Sequence, residues 1–236
     1  MKIFTNYTLT ARMVPAFLCS LPVILLMYFS AQTPEVKLFS DYLAAIKIGG
    51  ISAYLLFLYF FAHVIRATSK YYENKYFVND KGFPTTYFMA YSDSKYTTEY
   101  KVRYREKLKQ HLNWELHDEE QERANYGEAK KRLDEATRLI IPYVGDGILV
   151  KSYNVWYGFV RNLIGGLVYS LLFCAINVCI RQLLINETLL LYFSCVLFTV
   201  YLVLYISRKT ILRQYAENYA DKLLAEFMTI EKRTIK

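Results

Sequence analysis

The residues best suited to chemistry form a basic and aromatic cluster near the middle of the chain. Lys101, Arg105 and Lys109 recur at every fourth position, and this spacing places them on one face of a helix. Basic side chains bind phosphates and aromatic rings stack on bases, so the cluster is typical of an oligonucleotide site. The expected ligand contacts are Lys101, Arg103, Tyr104, Arg105 and Lys109. A solvated helix face, or a patch lying against anionic lipid headgroups, would show the same pattern.

The segment that surrounds this cluster is nearly balanced in charge. Residues 66–158 contain 16 Lys and Arg against 14 Asp and Glu. So small an excess is not the footprint of a strongly basic domain. Oligonucleotide binding therefore depends on how the fold arranges these charges.

Small and polar residues recur along one face of an apolar run in the C-terminal half. They are spaced three or four residues apart, pass through Cys174, and include the candidates Asn162, Gly166, Ser170, Asn177 and Arg181. Small residues let helices approach and amides hydrogen-bond across helices, which predicts a packing face. Alternatively, these groups line a pore, with Arg181 at its outer mouth. Lys47 lies inside another apolar run, where its ammonium either reaches the interface or faces the same pore.

An aromatic and glycine-containing segment leads into this polar face. Tyr157, Gly158 and Arg161 stand where a water-exposed segment would join a membrane helix. Aromatic and basic residues anchor helices at membrane interfaces, so one interpretation is an aromatic belt. The other is a gating linker, with Gly158, Gly165 and Gly166 providing flexibility.

Four apolar runs must position these clusters: residues 13–31, 43–65, 159–180 and 189–207. Each is about the length that a helix needs to cross a bilayer core of roughly 30 Å. Lys and Arg concentrate beside the termini and the central segment, so both termini and the central domain are expected in the cytoplasm. The first run is long for a signal peptide and is expected to be retained. Pro15 and Pro22 within it predict a kink, with neighbours satisfying the carbonyls that they free.

The expected fold is a mainly α-helical integral membrane protein, with two transmembrane hairpins around a mostly helical cytoplasmic domain. The hairpins are residues 1–65 and 159–207, the regulatory domain is residues 66–158, and a C-terminal cytoplasmic helix follows over residues 208–236. Threonine and aromatic residues favour one short strand over residues 85–91. Helices are predicted over residues 97–112, over 125–141 with Asn125 as its cap and Pro142 as its interruption, and over 210–231. An amphipathic stretch over residues 148–158 is expected to lead directly into the third apolar run. The apolar faces of the first two helices, expected to be buried, are Tyr100, Tyr104, Leu108 and Leu112, and Ala129, Leu133, Ala136 or Thr137, and Ile140.

Three segments of the chain resemble those of a widespread family of bacterial membrane proteins. They are residues 153–166, Pro84-Thr85-Thr86 before Asp93, and the sequence from Tyr100 to Arg105. The family includes the membrane effector of the Hailong anti-phage system, which is encoded beside a nucleotidyltransferase. The resemblance implies a homo-oligomeric ion channel, a tetramer, used in abortive infection at the bacterial inner membrane. Its partners would be the lipid bilayer and a short DNA oligomer, made by the nucleotidyltransferase, that holds the channel shut until a phage signal intervenes.

Motifs of other function classes are missing from the sequence. It contains no Gly-rich phosphate loop, no HExxH, no GxSxG and no His/Cys/Asp cluster at metal-ligand spacing, so we expect no catalysis, metal or cofactor. The four cysteines fall within the apolar runs and are expected to be small apolar side chains. The main alternative to a channel is a non-conducting membrane scaffold that recruits a cytoplasmic partner. A transporter is disfavoured because the chain shows no internal repeat.

Overall fold

Helices make up nearly all of the described structure. The computed structural model describes residues 6–30, 50–78, 81–144, 147–180 and 188–230. Its helices are α1 Asn6–Thr8, α2 Val14–Ser30, α3 Gly50–Glu73, α4 Pro84–Tyr87, α5 Thr98–Leu112, α6 Glu119–Ala124, α7 Tyr126–Val144, α8 Ile148–Ile180, α9 Thr188–Ile206 and α10 Arg208–Thr229. Two π-helical segments continue the chain, Leu9–Met13 between α1 and α2, and Asn74–Val78 after α3.

Three helices within these ranges are long and apolar enough to cross a membrane: Leu9–Phe29, Ile148–Ile180 and Thr188–Ile206. Large apolar side chains of α9, such as Phe193, Val196 and Val203, are more than half exposed. Exposed apolar surface on this scale is favourable in lipid and not in water. The chain is therefore a helical membrane protein. The predicted second span, residues 43–65, begins outside the described residues and continues in α3, which is not one of these three helices.

The described residues divide into two compact units. The first unit lies within Met1–Glu73 and Gly158–Leu212, and the second within Asn74–Tyr157 and Arg213–Lys236. Both α8 and α10 contribute residues to each unit without a break in the helix. The prediction of a helix over residues 210–231 is confirmed by α10, and the prediction that an amphipathic stretch leads directly into the third apolar run is confirmed by α8.

The core of the first unit joins α2, α3 and α8. Cys19 of α2 and Ile65 of α3 are fully buried. The ring of Phe61 on α3 lies 5.8 Å from the ring of Tyr169 and 5.9 Å from that of Phe173, both on α8. The Phe61–Tyr169 contact is edge-to-face and the Phe61–Phe173 contact is tilted. Such aromatic contacts add dispersion and quadrupole attraction where no hydrophobic effect drives helices together.

The core of the second unit uses the helix faces that the sequence predicts. Tyr104 and Leu108 of α5 are fully buried, and Tyr100 and Leu112 pack against the same cluster. The buried side chains of α7 include Ala129, Leu133, Ala136, Thr137 and Ile140. The C-terminal half of α10 contributes Leu223, Leu224 and Phe227 to this core. Local i, i+4 patterning thus specifies the faces of α5 and α7 correctly.

The start of α7 also follows its sequence signal. The Asn125 side-chain oxygen accepts a hydrogen bond of 3.2 Å from the backbone N–H of Glu128, and the Asn125 amide donates to the Glu128 carboxylate at 3.3 Å. This arrangement satisfies a donor that a helix N-terminus leaves open. Pro142 lies inside α7 and does not interrupt it, since the helix continues to Val144.

The prediction of a strand over residues 85–91 is wrong. Pro84–Tyr87 forms the short helix α4, with the N–H of Tyr87 donating to Phe83 O at 3.0 Å. Proline fixes the φ angle required at the first helical position, which favours a helix start here. Tyr87, Phe88, Met89 and Ala90 are all buried, so the alternation that a half-exposed strand needs is missing. The described ranges contain no strand.

Candidate functional site

The polar face of α8 is hydrogen-bonded to main-chain carbonyls of the first apolar helix. The Asn162 amide donates to Ala11 O at 2.5 Å, the Ser170 hydroxyl to Cys19 O at 3.0 Å, and the Asn177 amide to Pro22 O at 2.8 Å. All three side chains are buried. We call Asn162, Ser170 and Asn177, with the carbonyls that they contact, the polar seam. These contacts correspond to the packing interpretation of the sequence pattern.

The prolines of the first apolar helix account for part of this seam. Proline has no N–H, so Pro15 cannot donate to Ala11 O and Pro22 cannot donate to Leu18 O. The Asn162 amide reaches Ala11 O, and the Tyr201 hydroxyl of α9 donates to Leu18 O at 2.7 Å. Side chains from α8 and α9 thus satisfy both carbonyls, as the sequence predicts for a membrane helix containing proline.

Two buried amide oxygens remain on the same seam. The side-chain oxygens of Asn162 and Asn177 have no hydrogen-bond partner among the described residues. Their orientations are fixed because the amide nitrogens donate to carbonyls, and a flipped amide would set oxygen against oxygen. A buried acceptor without a partner costs about 1–3 kcal/mol. The seam therefore contains polarity beyond what helix packing uses.

The paired glycines of α8 are points of close helix approach. A Cβ at Gly166 would lie 2.3 Å from the Cys19 sulfur, and one at Gly165 would lie 2.7 Å from the backbone nitrogen of Ser69. Both glycines lie inside the uninterrupted helix α8. The small size of these residues, and not added flexibility, explains their place in the structure.

The predicted gating residues divide between the two units. Tyr157 stacks on Tyr219 in the second unit, with ring centroids 6.0 Å apart. In the first unit, Arg161 forms an ion pair of 3.1 Å with Glu73, and these two side chains are 15% and 11% exposed. A Cβ at Gly158 would lie 2.9 Å from the Tyr7 hydroxyl. Glu73 is not among the predicted residues, and its one signal in the sequence is an isolated acid among basic residues at the end of α3.

Two further residues predicted for the pore or packing face, Lys47 and Arg181, lie outside the described residues.

Three of the five predicted oligonucleotide contacts are internal to the second unit. Tyr104 is fully buried, with its ring 5.7 Å from that of Phe227. Lys101 is 2% exposed and its ammonium donates to the carbonyl of Asp93. Burial lowers the pKa of Lys101 below its ordinary value, because a charged ammonium loses hydration there.

Arg105 is the centre of a buried polar network. Its guanidinium pairs with the Glu122 carboxylate at 3.0 Å and donates to the carbonyls of Met89 and His117 at 3.0 and 3.1 Å. Burial lowers the pKa of Arg105, although the neighbouring Glu122 carboxylate favours the charged form. The other Glu122 oxygen accepts from the N–H of Tyr91 at 2.6 Å. Arg105 thus connects helix α6 with the segment that precedes α5, and its N–H donors are engaged within the fold.

The remaining two contacts, Arg103 and Lys109, are exposed and paired with carboxylates. Arg103 lies 2.5 Å from Glu99, and Lys109 lies 2.6 Å from Glu115. The hydrogen bond with Glu115 raises the pKa of Lys109. The structure therefore does not bring the five predicted residues together on one phosphate-facing surface.

The second unit contains a cleft that the sequence does not predict. Its volume is about 470 Å³, and its walls include Gly82, Phe83, Lys130, Lys131, Asp134 and Arg138. In the sequence these cations alternate with Glu128, Asp134 and Glu135, so the segment looks balanced in charge. Helical spacing places residues 127, 130, 131, 134 and 138 along the cleft. The guanidinium of Arg132 instead pairs with the Glu128 carboxylate at 3.5 Å.

Within the described ranges, no group of three or more His, Cys, Asp or Glu residues could hold a metal ion. The chain matches no family model, no curated protein and no solved structure.

Proposed function

We propose that this protein is a homo-oligomeric ion channel of the bacterial inner membrane and acts as an anti-phage effector. In this proposal four spans enclose the conduction pathway, both termini are cytoplasmic, and a tetramer is the working assembly. An oligonucleotide or nucleotide, made by a partner nucleotidyltransferase, binds the cytoplasmic domain and sets the channel state. The three apolar helices and the resemblance of residues 82–166 to the anti-phage effector family support this proposal.

The observation that carries the proposal is the polar seam. A helix bundle that only anchors a protein can be closed with apolar and small side chains alone. Here the buried oxygens of Asn162 and Asn177 have no partner among the described residues, and a proline-containing helix exposes its carbonyls to the same seam. Irregular backbone and polar groups at membrane depth are tolerated where they are buried in protein or border a water-filled path. In the proposal the seam is a closed wall of that path.

Helix α8 connects the second unit, where the ligand would bind, with the polar seam. This helix contributes residues to both units and carries Asn162, Ser170 and Asn177. A ligand that binds one arrangement of the second unit more tightly than another can therefore shift the equilibrium between two states of the seam. The largest possible shift equals the difference in the ligand's binding free energy between the two arrangements.

A non-conducting scaffold is the second candidate, favoured by a specific observation. Each seam side chain already has a partner within one chain, and no pore is needed to explain Ser170, whose hydroxyl proton is engaged by the Cys19 and Gly166 carbonyls. In that case the second unit recruits a cytoplasmic protein and the membrane helices only hold it in place.

Membrane potential in bacteria separates the two functions. Cells expressing the protein, followed with a voltage-sensitive dye, should depolarise within minutes if it conducts, and coexpression of the partner nucleotidyltransferase should suppress this. Asn177→Leu should weaken depolarisation at equal membrane expression, because it replaces the polar group by an isosteric apolar one. Normal potential at confirmed membrane expression, with or without the partner, would favour the scaffold.

A further inference from the structure

The cleft in the second unit has the size of a small-molecule site. Its volume of about 470 Å³ falls within the range of roughly 300–1,000 Å³ found for such sites. One wall is the face of α7 from Gly127 to Arg138, and the facing wall is the turn that holds Gly82 and Phe83. The N-terminal end of a helix carries a partial positive charge, which favours an anion at this wall.

The cleft holds more positive charge than its own carboxylate neutralises. Among the described residues that line it, the one acid is Asp134, which already accepts from Arg138 at 2.8 Å and from the Thr86 hydroxyl at 3.4 Å. Neither Lys130 nor Lys131 has a carboxylate within ion-pair distance in the described part of the chain. Two ammonium groups therefore remain available to an external anion.

The backbone is shaped to bring one of these lysines across the cleft. Gly82 has φ +101°, a left-handed conformation that side chains other than hydrogen disfavour. A Cβ at this position would also lie 2.9 Å from Lys130 Cε. The turn is fixed by the Gly82 N–H, which donates to Phe77 O at 2.8 Å. Glycine here thus allows the Lys130 chain to pass close to the backbone.

An apolar surface stands beside the cations. The ring of Phe83 lines the cleft and packs against Phe77, with centroids 5.2 Å apart. Phe77 is buried, so the Phe83 ring is supported from behind. A planar base or other apolar body can stack on such a ring while its charged group meets the lysines.

We propose that this cleft binds a phosphate-bearing ligand of nucleotide size, with phosphate on Lys130 and Lys131 and a planar body on Phe83. The inference rests on the proposed function in one respect, since it locates the ligand site of the regulated domain. It moves that site from α5, where Lys101 and Arg105 are engaged inside the fold, to the open face of α7.

The test uses the purified full chain in detergent micelles and titrations with ATP and with tripolyphosphate. Lys130→Gln combined with Lys131→Gln should raise both dissociation constants about tenfold or more, because a hydrogen bond between charged groups is worth at least that factor. The matched control is Arg103→Gln with Lys109→Gln, which removes the same charge from α5 and should change binding less than about threefold. Phe83→Leu should weaken ATP binding and leave tripolyphosphate binding unchanged.

Three results would overturn the inference. The first is a larger loss of binding affinity from the α5 pair of substitutions than from the α7 pair. The second is that neither phosphate compound binds. The third is that only micelles containing phosphatidylglycerol compete for the lysines, which would make the cleft a lipid headgroup site. Ion flux measured on the same protein keeps the two proposals apart. Binding without flux would retain the cleft and reject the channel, whereas flux without binding would retain the channel and reject the cleft.

Discussion

The hydrogen bond between Tyr201 and Leu18 gives a sharp test of how this membrane protein tolerates proline. The Tyr201 hydroxyl donates to Leu18 O at 2.7 Å, and that carbonyl lacks its helical donor because Pro22 has no N–H. Tyr201→Phe keeps the ring, which is 4% exposed, and leaves the carbonyl without a donor. Interhelical hydrogen bonds in membranes average about 0.6 kcal/mol, and an unsatisfied buried acceptor costs about 1–3 kcal/mol. We therefore expect Tyr201→Phe to lower the free energy of unfolding by about 1–2 kcal/mol.

A double-mutant cycle shows whether proline is the cause. Pro22→Ala restores an N–H that can donate to Leu18 O, so Tyr201→Phe should then cost less than about 0.5 kcal/mol. Free energies of unfolding are measured by reversible denaturation in mixed micelles. Tyr192→Phe on the same helix is the control, since Tyr192 is 64% exposed and should tolerate the change. An equal cost of Tyr201→Phe in the wild-type and Pro22→Ala backgrounds would refute the reasoning.

Three other perturbations follow from the packing. Gly165→Ala should lower the free energy of thermal or denaturant unfolding by about 1–3 kcal/mol, since its Cβ would lie 2.7 Å from the backbone of α3. Gly127→Ala is the control, because its Cβ would meet nothing closer than 3.8 Å and the change should be neutral or stabilising. Arg161→Gln should lower the free energy of unfolding by about 3 kcal/mol because it removes a cation from the largely buried Glu73 carboxylate, and adding Glu73→Gln should recover much of the loss. Burial lowers the pKa of Lys101, so the unfolded chain binds the extra proton at alkaline pH. The thermal midpoint of the wild type should therefore rise relative to Lys101→Met as pH increases toward 10.5, and parallel profiles would contradict this.

Local sequence predicts the buried residues and the start of a helix correctly where these depend on a single helix. The buried residues of α5 and α7 follow from apolar spacing, and Asn125 marks the start of α7 because capping is a contact between neighbours in sequence. The requirement that neighbours satisfy the carbonyls freed by Pro15 and Pro22 also follows from the sequence. The donors, Asn162 and Tyr201, could not be named in advance because they depend on how distant helices pack.

The candidate ligand site shows where local patterns fail. Lys101 and Arg105 lie next to the apolar stripe of Tyr104 and Leu108, and a helix packed on several sides buries both faces. The sequence could not reveal that Glu122 and the Asp93 carbonyl would engage these cations. The strand prediction over residues 85–91 failed for a related reason. Its threonine and aromatic residues fit a strand, but Pro84 starts a helix that the surrounding core then buries.

The central claim, that this protein conducts ions under ligand control, is tested most directly with the purified chain in planar lipid bilayers. The account predicts discrete current steps whose open probability changes when ATP is added on the side of the second unit. It also predicts that Lys130→Gln with Lys131→Gln abolishes this response without abolishing the steps. A silent bilayer with the protein inserted and folded, under both ligand conditions, would contradict the account.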